Sequence, residues 1–270
     1  MGVPTIENST GTMQAQASMD LLSAWELQDN IKALVFATTA SNSGIRKGAA
    51  KLLEEKLHRK VFYLACRHHI MEIIVGAVWE ELFGKVKAPE NLWFKKLKDA
   101  WPNICTENPS KLNVSPTWLQ TMKENSKQML QKILKSEKTP REDYRELAEL
   151  TLILLGETPP RGIHWRRPGA IHQARWMARN LYVLKMFMFA DQMKYDSVTK
   201  QKLERINSFL ALFYTPRWMT ATAAADAPLQ DITFVQEMMK YEAIDPEVAI
   251  VVQRKLQNHG WYLTQELSST

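Results

Sequence analysis

The sequence predicts an α/β fold that is predominantly helical, and two observations carry that expectation. First, "IKALVFA" (31–37) and "KVFYLAC" (60–66) are short β-rich runs bounded by turn residues, and "GIRKGAAKLLEEKL" between them has the spacing of a helix. Strand, helix, strand at that spacing is the pattern of a parallel crossover. Second, from Arg67 onward apolar residues recur almost wholly at helical intervals, as in "HHIMEIIVGAVWEELFG", "SPTWLQTMKENSKQMLQKILKSE" and "PREDYRELAELTLILLG".

Taken in order, "SMDLLSAWEL" predicts a first helix with Ser18 as its cap. The unbroken apolarity of the two β-rich runs predicts strands covered on both faces. Ser115 with Pro116, and Thr139 with Pro140, are helix-start pairs of cap and first-turn proline. The last helices, "PLQDITFVQEMMKYEAI" and "PEVAIVVQRKLQNHG", are separated at Asp245 and Pro246. A two-stranded parallel sheet is marginal alone, so either further strands join it or the chain is part of a larger one.

Of the 270 residues 45% are hydrophobic and 24% charged, the proportions of a globular protein. Lys and Arg number 35 against 29 Asp and Glu, giving a net charge of +6, which favours a polyanionic partner without requiring one. With only Cys66 and Cys105 there is no disulfide framework, and a reduced nuclear or cytoplasmic compartment is expected. The opening "MGVPTIENST" has no basic stretch before an apolar run, and no apolar run approaches the ~20 residues that span a bilayer, so no membrane partner is expected.

Three segments offer chemistry. "SNSGIRKG" opens a helix with Gly44 and Gly48, but it lacks the spacing of a phosphate loop, and Arg46 and Lys47 read equally as a solvated first turn. "LACRHHIMEII" places Cys66 and His69 at Cys-x-x-His spacing, half of a zinc site that His164 and His172 would have to complete. Cys66 beside Arg67, His68 and His69 could also form a thiolate pair, with Glu72 as the only evident orienting acid. "RGIHWRRPGAIHQARWMARNLY" sets Arg161, Arg166 and Arg167 in a loop and His172, Arg175 and Arg179 on one helical face, with Trp165 and Trp176 interleaved. Guanidinium groups clamp phosphates and indoles stack on bases, so this cluster suits a nucleic acid, as do Phe94, Lys95, Lys96 and Lys98. A different reading, a helical protein-interaction scaffold, rests on Met186, Met188, Met193, Met238 and Met239 as an adaptable apolar groove.

The run from "LLSAWELQDNIKALVFATTASNSGIRKG" to "CRHHIMEII", together with "RPGAIHQARWMARNLYVLKMFMF", resembles eukaryotic RNase H-like DDE transposase-derived proteins in the neighbourhood of the hAT and P-element types. The likeness extends from Gly2-Val3-Pro4 to the tail, and its most specific parts are the strand-end "CRHH" and the Thr-Thr-x-Ser-Asn-x-Gly turn. The resemblance implies a partial RNase H-like core over 1–84, a helical insertion over 85–161, and a helical return with C-terminal helices over 162–270. It also implies a carboxylate triad holding two divalent metals for phosphoryl transfer.

This sequence departs from that pattern. Where the family has an acid in an "F-Asp-Thr-Thr" context, it has Ala37. The family's first strands and first catalytic Asp lie upstream of a Gly-Val-Pro segment, and the sequence starts at that segment. No motif fixes a third acid, Glu157 and Asp191 being the nearest to the returning helix. The expectation is a transposase-derived protein that has lost its catalysis and its magnesium, with no other cofactor and no metal, and with DNA binding through Arg46, Lys47, Arg166, Arg167, Arg175 and Arg179. An open sheet edge adds self-association or a protein partner as an expectation.

Overall fold

The computed structural model describes residues 2–85, 91–136, 141–169, 178–221, 223 and 226–260. The chain divides into two compact units, Met1–Ile73 with Lys255–Thr270, and Ile74–Arg254. It is predominantly helical, with one small parallel sheet among the described residues.

In the first unit, helix α1 spans Gly11–Ala24 and is capped by Thr10, whose side chain accepts from the Met13 N–H. Ser18, the expected cap, lies inside α1 and donates to the Gln14 carbonyl at 2.8 Å. The helix starts earlier than its large apolar residues suggest because small Gly11 and Ala15 already form its buried side. Strand β1 (Ala33–Phe36) pairs in parallel with β2 (Phe62–Ala65), in register from Ala33 opposite Phe62 to Phe36 opposite Ala65. Between them come a short helix α2 (Ala40–Ser43) and the crossover helix α3 (Ala49–Lys56). Ala15 and Leu22 of α1 pack with Leu53 and Leu57, and Leu34 of β1 joins that cluster.

The expectation that both sheet faces are covered fails. Side chains alternate along a strand, so α1 and α3 can cover only one face. On the other, Val35, Phe62 and Leu64 are exposed, Val35 by 81%, and no described element lies over them.

Helix α4 (Arg67–Phe83) follows β2 and is buried on several sides, through Ile70, Met71, Ile74, Val75, Val78, Trp79 and Leu82. The second unit is built from α5 (Leu92–Ala100), α6 (Thr117–Lys135), α7 (Glu142–Leu154), α8 (Ala178–Met188), α9 (Ser197–Phe209), α10 (Thr215–Thr220), α11 (Ala227–Tyr241) and the start of α12 (Pro246–Gly260), whose end from Lys255 belongs to the first unit. A buried π-helical turn, Leu210–Tyr214, joins α9 to α10. Asn91 and Asp196 cap α5 and α9 through their side chains, and Asp245 accepts from the Val248 N–H to start α12 where the sequence places the break. The Ser115 and Pro116 pair sits one step early: Pro116 occupies the cap position of α6 and Ser115 lies outside it. Thr139 and Pro140 lie outside the described residues.

Helix α7 closes with Gly156 at φ +96°, the Glu157 N–H bonding back to the Leu152 carbonyl, an ending that favours glycine. Leu130 and Leu134 of α6, Ala148 and Leu152 of α7, and Met219 form one core cluster. Met186, Met188, Met193 and Met238 are buried core residues, while Met239 is exposed.

Helix α7 is buried at every position from Arg145 to Leu154, including Arg145, Glu146 and Glu149. Such charges are tolerable only when paired. Lys185 of α8, 2% exposed, donates to Glu146 at 2.6 Å and to the Arg166 carbonyl at 2.8 Å. Arg161 forks onto Glu149 at 2.6 and 3.2 Å. Lys185→Met strands the Glu146 carboxylate and is expected to cost about 3 to 5 kcal/mol in urea unfolding, whereas Lys185→Met with Glu146→Leu recovers most of it. Equal losses in the single and double variants would show that the pair is not what the site depends on.

Candidate functional site

The parallel register brings the two sequence-marked strand ends together. The Cys66 N–H donates to the Phe36 carbonyl at 2.8 Å, so Ala37 and Cys66 leave the sheet side by side at its carboxyl edge. In α/β proteins this edge is where ligands meet the chain.

After β1 the chain folds back on itself through its own polar side chains. The Asn42 amide donates to the Ala37 carbonyl at 2.9 Å, the Ser43 hydroxyl donates to the Thr39 carbonyl at 3.0 Å, and the Thr39 and Ser41 hydroxyls lie 3.1 Å apart. Thr38 is 3% exposed, and its hydroxyl has no hydrogen-bond partner. The two glycines serve close approach: a Cβ on Gly48 would stand 2.4 Å from the Gly44 nitrogen, and one on Gly11 would stand 2.1 Å from the Lys47 carbonyl oxygen. The start of α1 is thereby pressed against the turn. Arg46 and Lys47 project from it, exposed.

On the β2 side, the Cys66 carbonyl accepts from the His69 N–H at 3.1 Å and starts α4. Its sulfur lies 4.0 Å from His68 Nδ1, while His69, the partner the Cys-x-x-His spacing selects, is half-buried on the first turn of α4. Tyr63 stacks edge-on against Phe36 and donates to the Ala50 carbonyl at 3.3 Å, tying β2 to the crossover helix. Burial, with the Glu54 charge added, pushes the Tyr63 hydroxyl well above the ordinary phenol value.

This edge does not fit the divalent metals that the family resemblance implies. Magnesium takes hard oxygen ligands, and the position expected to supply a carboxylate carries the Ala37 methyl, beside a thiol and imidazoles. Among the described residues no three His, Cys, Asp or Glu side chains are grouped to hold a metal ion. His164 is exposed beside the Gly162 carbonyl, and His172 lies outside the described residues.

The other nominated residues separate. Glu157 bonds Lys127 at 3.4 Å and Gln131 at 3.4 Å, and Asp191 bonds Lys200 at 2.6 Å, so each of these acids is held by a lysine. Arg166 is hydrogen-bonded to Glu142, and this contact holds the Glu142 carboxyl below its usual range. Arg179 packs on α4, where a Cβ on Gly76 would stand 2.3 Å from its Nη1. Arg167 is exposed, and Arg175 lies outside the described residues. Phe94 is in the core between Trp79 and Tyr182, and Lys96 lies over the Tyr195 ring, 4.9 Å from its centre. Sequence reasoning missed the buried Lys185 and Glu146 pair, whose one signal is a lysine inside the apolar run "YVLKMFMF".

No family model, curated protein or solved structure matches the chain.

His259 of α12 is pushed below the ordinary imidazole value, first by burial and then by the charges of Lys255 and His69. Its folded value lies under its unfolded one. Stability is therefore greatest above about pH 6.5 and falls as pH drops from there toward the folded value. Melting curves between about pH 8 and about pH 5 should show this loss, and His259→Gln should flatten it; an unchanged slope would remove His259 as its source.

Proposed function

We propose that the chain is a transposase-derived protein that keeps part of an RNase H-like core around a turn without its acid, and that it binds DNA without cutting it. The carrying observation is the meeting of Ala37 and Cys66 at the carboxyl edge of the parallel pair, with the polar turn fully assembled behind them. A turn that positions its backbone so closely, yet offers a methyl at its tip, suits a site whose architecture outlived its chemistry. The uncovered face carrying Val35, Phe62 and Leu64 fits a partial core that lacks a covering layer on that side.

On the turn after β1, Arg46 and Lys47 are exposed cations. Arg167 is an exposed contributor in the second unit, while Arg166 and Arg161 are already paired with carboxylates. The DNA contact is therefore assigned chiefly to the turn. Contacts of this kind are made to phosphates, fall with salt and carry no base sequence.

Fluorescence anisotropy with a short labelled duplex, from about 50 to about 200 mM salt, tests the reading. Affinity should fall steeply, and Arg46→Ala with Lys47→Ala should weaken binding and reduce the slope of log affinity against log salt by about two, one for each cation removed from the phosphates. Unchanged affinity and slope in the double variant would remove the turn as the DNA-binding element, and strand cleavage by the unaltered chain would overturn the proposal outright.

A further inference from the structure

The second unit carries a groove of about 520 Å³ that the strand-edge site does not use. Its walls are the approach to α6 from Asn113 to Pro116 with Leu119, the α9 residues Gln201, Glu204, Arg205 and Ser208, and the corner from Tyr241 to Glu247 between α11 and α12.

Two independent features point to an occupant. Tyr241 is 2% exposed, its ring packed 4.7 Å from the centre of Phe213, yet it lines the groove, and its hydroxyl makes no hydrogen bond among the described residues. With no protein partner, a hydroxyl that lines the groove is free to donate to an arriving acceptor. The second feature is charge. Three carboxylates line the groove, Glu204, Asp245 and Glu247, against the single guanidinium of Arg205. That guanidinium is already held, by Asp245 at 2.8 and 2.6 Å and by Glu247 at 2.7 Å. Glu204 is exposed and has no ion-pair partner among the described residues. The groove is thus net negative on a chain of net charge +6.

We propose that this groove docks a basic, partly apolar peptide segment of a partner protein. A lysine or arginine of that segment meets Glu204 and the solvent side of Glu247, which is 61% exposed in its side chain. An apolar neighbour packs on Leu119 and Ile244, the latter 39% exposed, and a backbone carbonyl accepts from Tyr241. Charge complementarity selects the segment, and the Tyr241 hydroxyl fixes its register.

The test uses the full chain and two short labelled peptides of identical leucine and alanine content, one carrying lysines and the other glutamates. The lysine peptide should bind and the glutamate peptide should not. Glu204→Lys should weaken binding about tenfold or more, because it places like charge against the peptide. Tyr241→Phe should weaken it by about fivefold, the loss of one neutral hydrogen bond, with an unchanged melting temperature. Arg46→Ala with Lys47→Ala should leave peptide binding unaltered, which separates this inference from DNA binding. Equal binding of both peptides, binding of neither, or full affinity in Glu204→Lys would overturn it. A dimer in sedimentation that Glu204→Lys dissociates would also overturn it, by giving the groove to a second copy of the chain.

Discussion

The constraint on which much of the second unit depends is that α7 is buried from Arg145 to Leu154 while carrying Arg145, Glu146 and Glu149. A buried carboxylate left alone costs several kcal/mol, so the fold must bring a cation to each. Lys185 comes from α8, and Arg161 comes from the segment after α7, which is thereby drawn onto the bundle. Lys185 also holds the Arg166 carbonyl, and Tyr182 holds that of Gly169. The extended segment 157–169 is fixed less by its own conformation than by the charges it neutralises. The same requirement uses up guanidinium groups that would otherwise face solvent.

A different constraint, backbone proximity, shapes the first unit. Gly11, Gly44 and Gly48 matter because neighbouring carbonyls and amides occupy the space a Cβ would take. None of the three is in the left-handed region. The turn after β1 is consequently rigid for a packing reason, and its hydroxyl and amide side chains close on their own backbone. Such a turn offers little spare hydrogen-bonding capacity to a nucleotide, apart from the unpartnered Thr38 hydroxyl.

Periodicity made the helices legible, because burial on one side leaves a repeat in the sequence whatever the partner element is, and β-rich runs bounded by turn residues marked both strands. The turn was legible too, since Gly44, Gly48 and the Thr-Thr-x-Ser-Asn run are local features. Pairing across distance was not. "RGIHWRR" looks in sequence like a free basic cluster, and nothing local reveals that Arg161 and Arg166 answer Glu149 and Glu142. Continuous apolarity in the strands likewise misled, because Val35, Phe62 and Leu64 show that apolar residues can stand on an uncovered face. The methionines were ambiguous for the same reason: a helical stripe of Met186, Met188 and Met193 has one appearance whether it lines a groove or fills a core, and here it fills the core.

Net charge therefore says little about where a partner binds, since the excess of cations is distributed by pairing rather than by sequence position. Arg205 illustrates the point: it belongs to a basic chain, yet Asp245 and Glu247 hold its guanidinium above the ordinary value and leave its surroundings acidic. At the turn after β1, Arg46 and Lys47 make the reverse arrangement, two exposed cations beside hydroxyls and amides. The two places select opposite charge, so no single polyelectrolyte satisfies both. An anionic partner is repelled from the groove by Glu204 and Glu247, and a cationic one is repelled from the turn by Arg46 and Lys47.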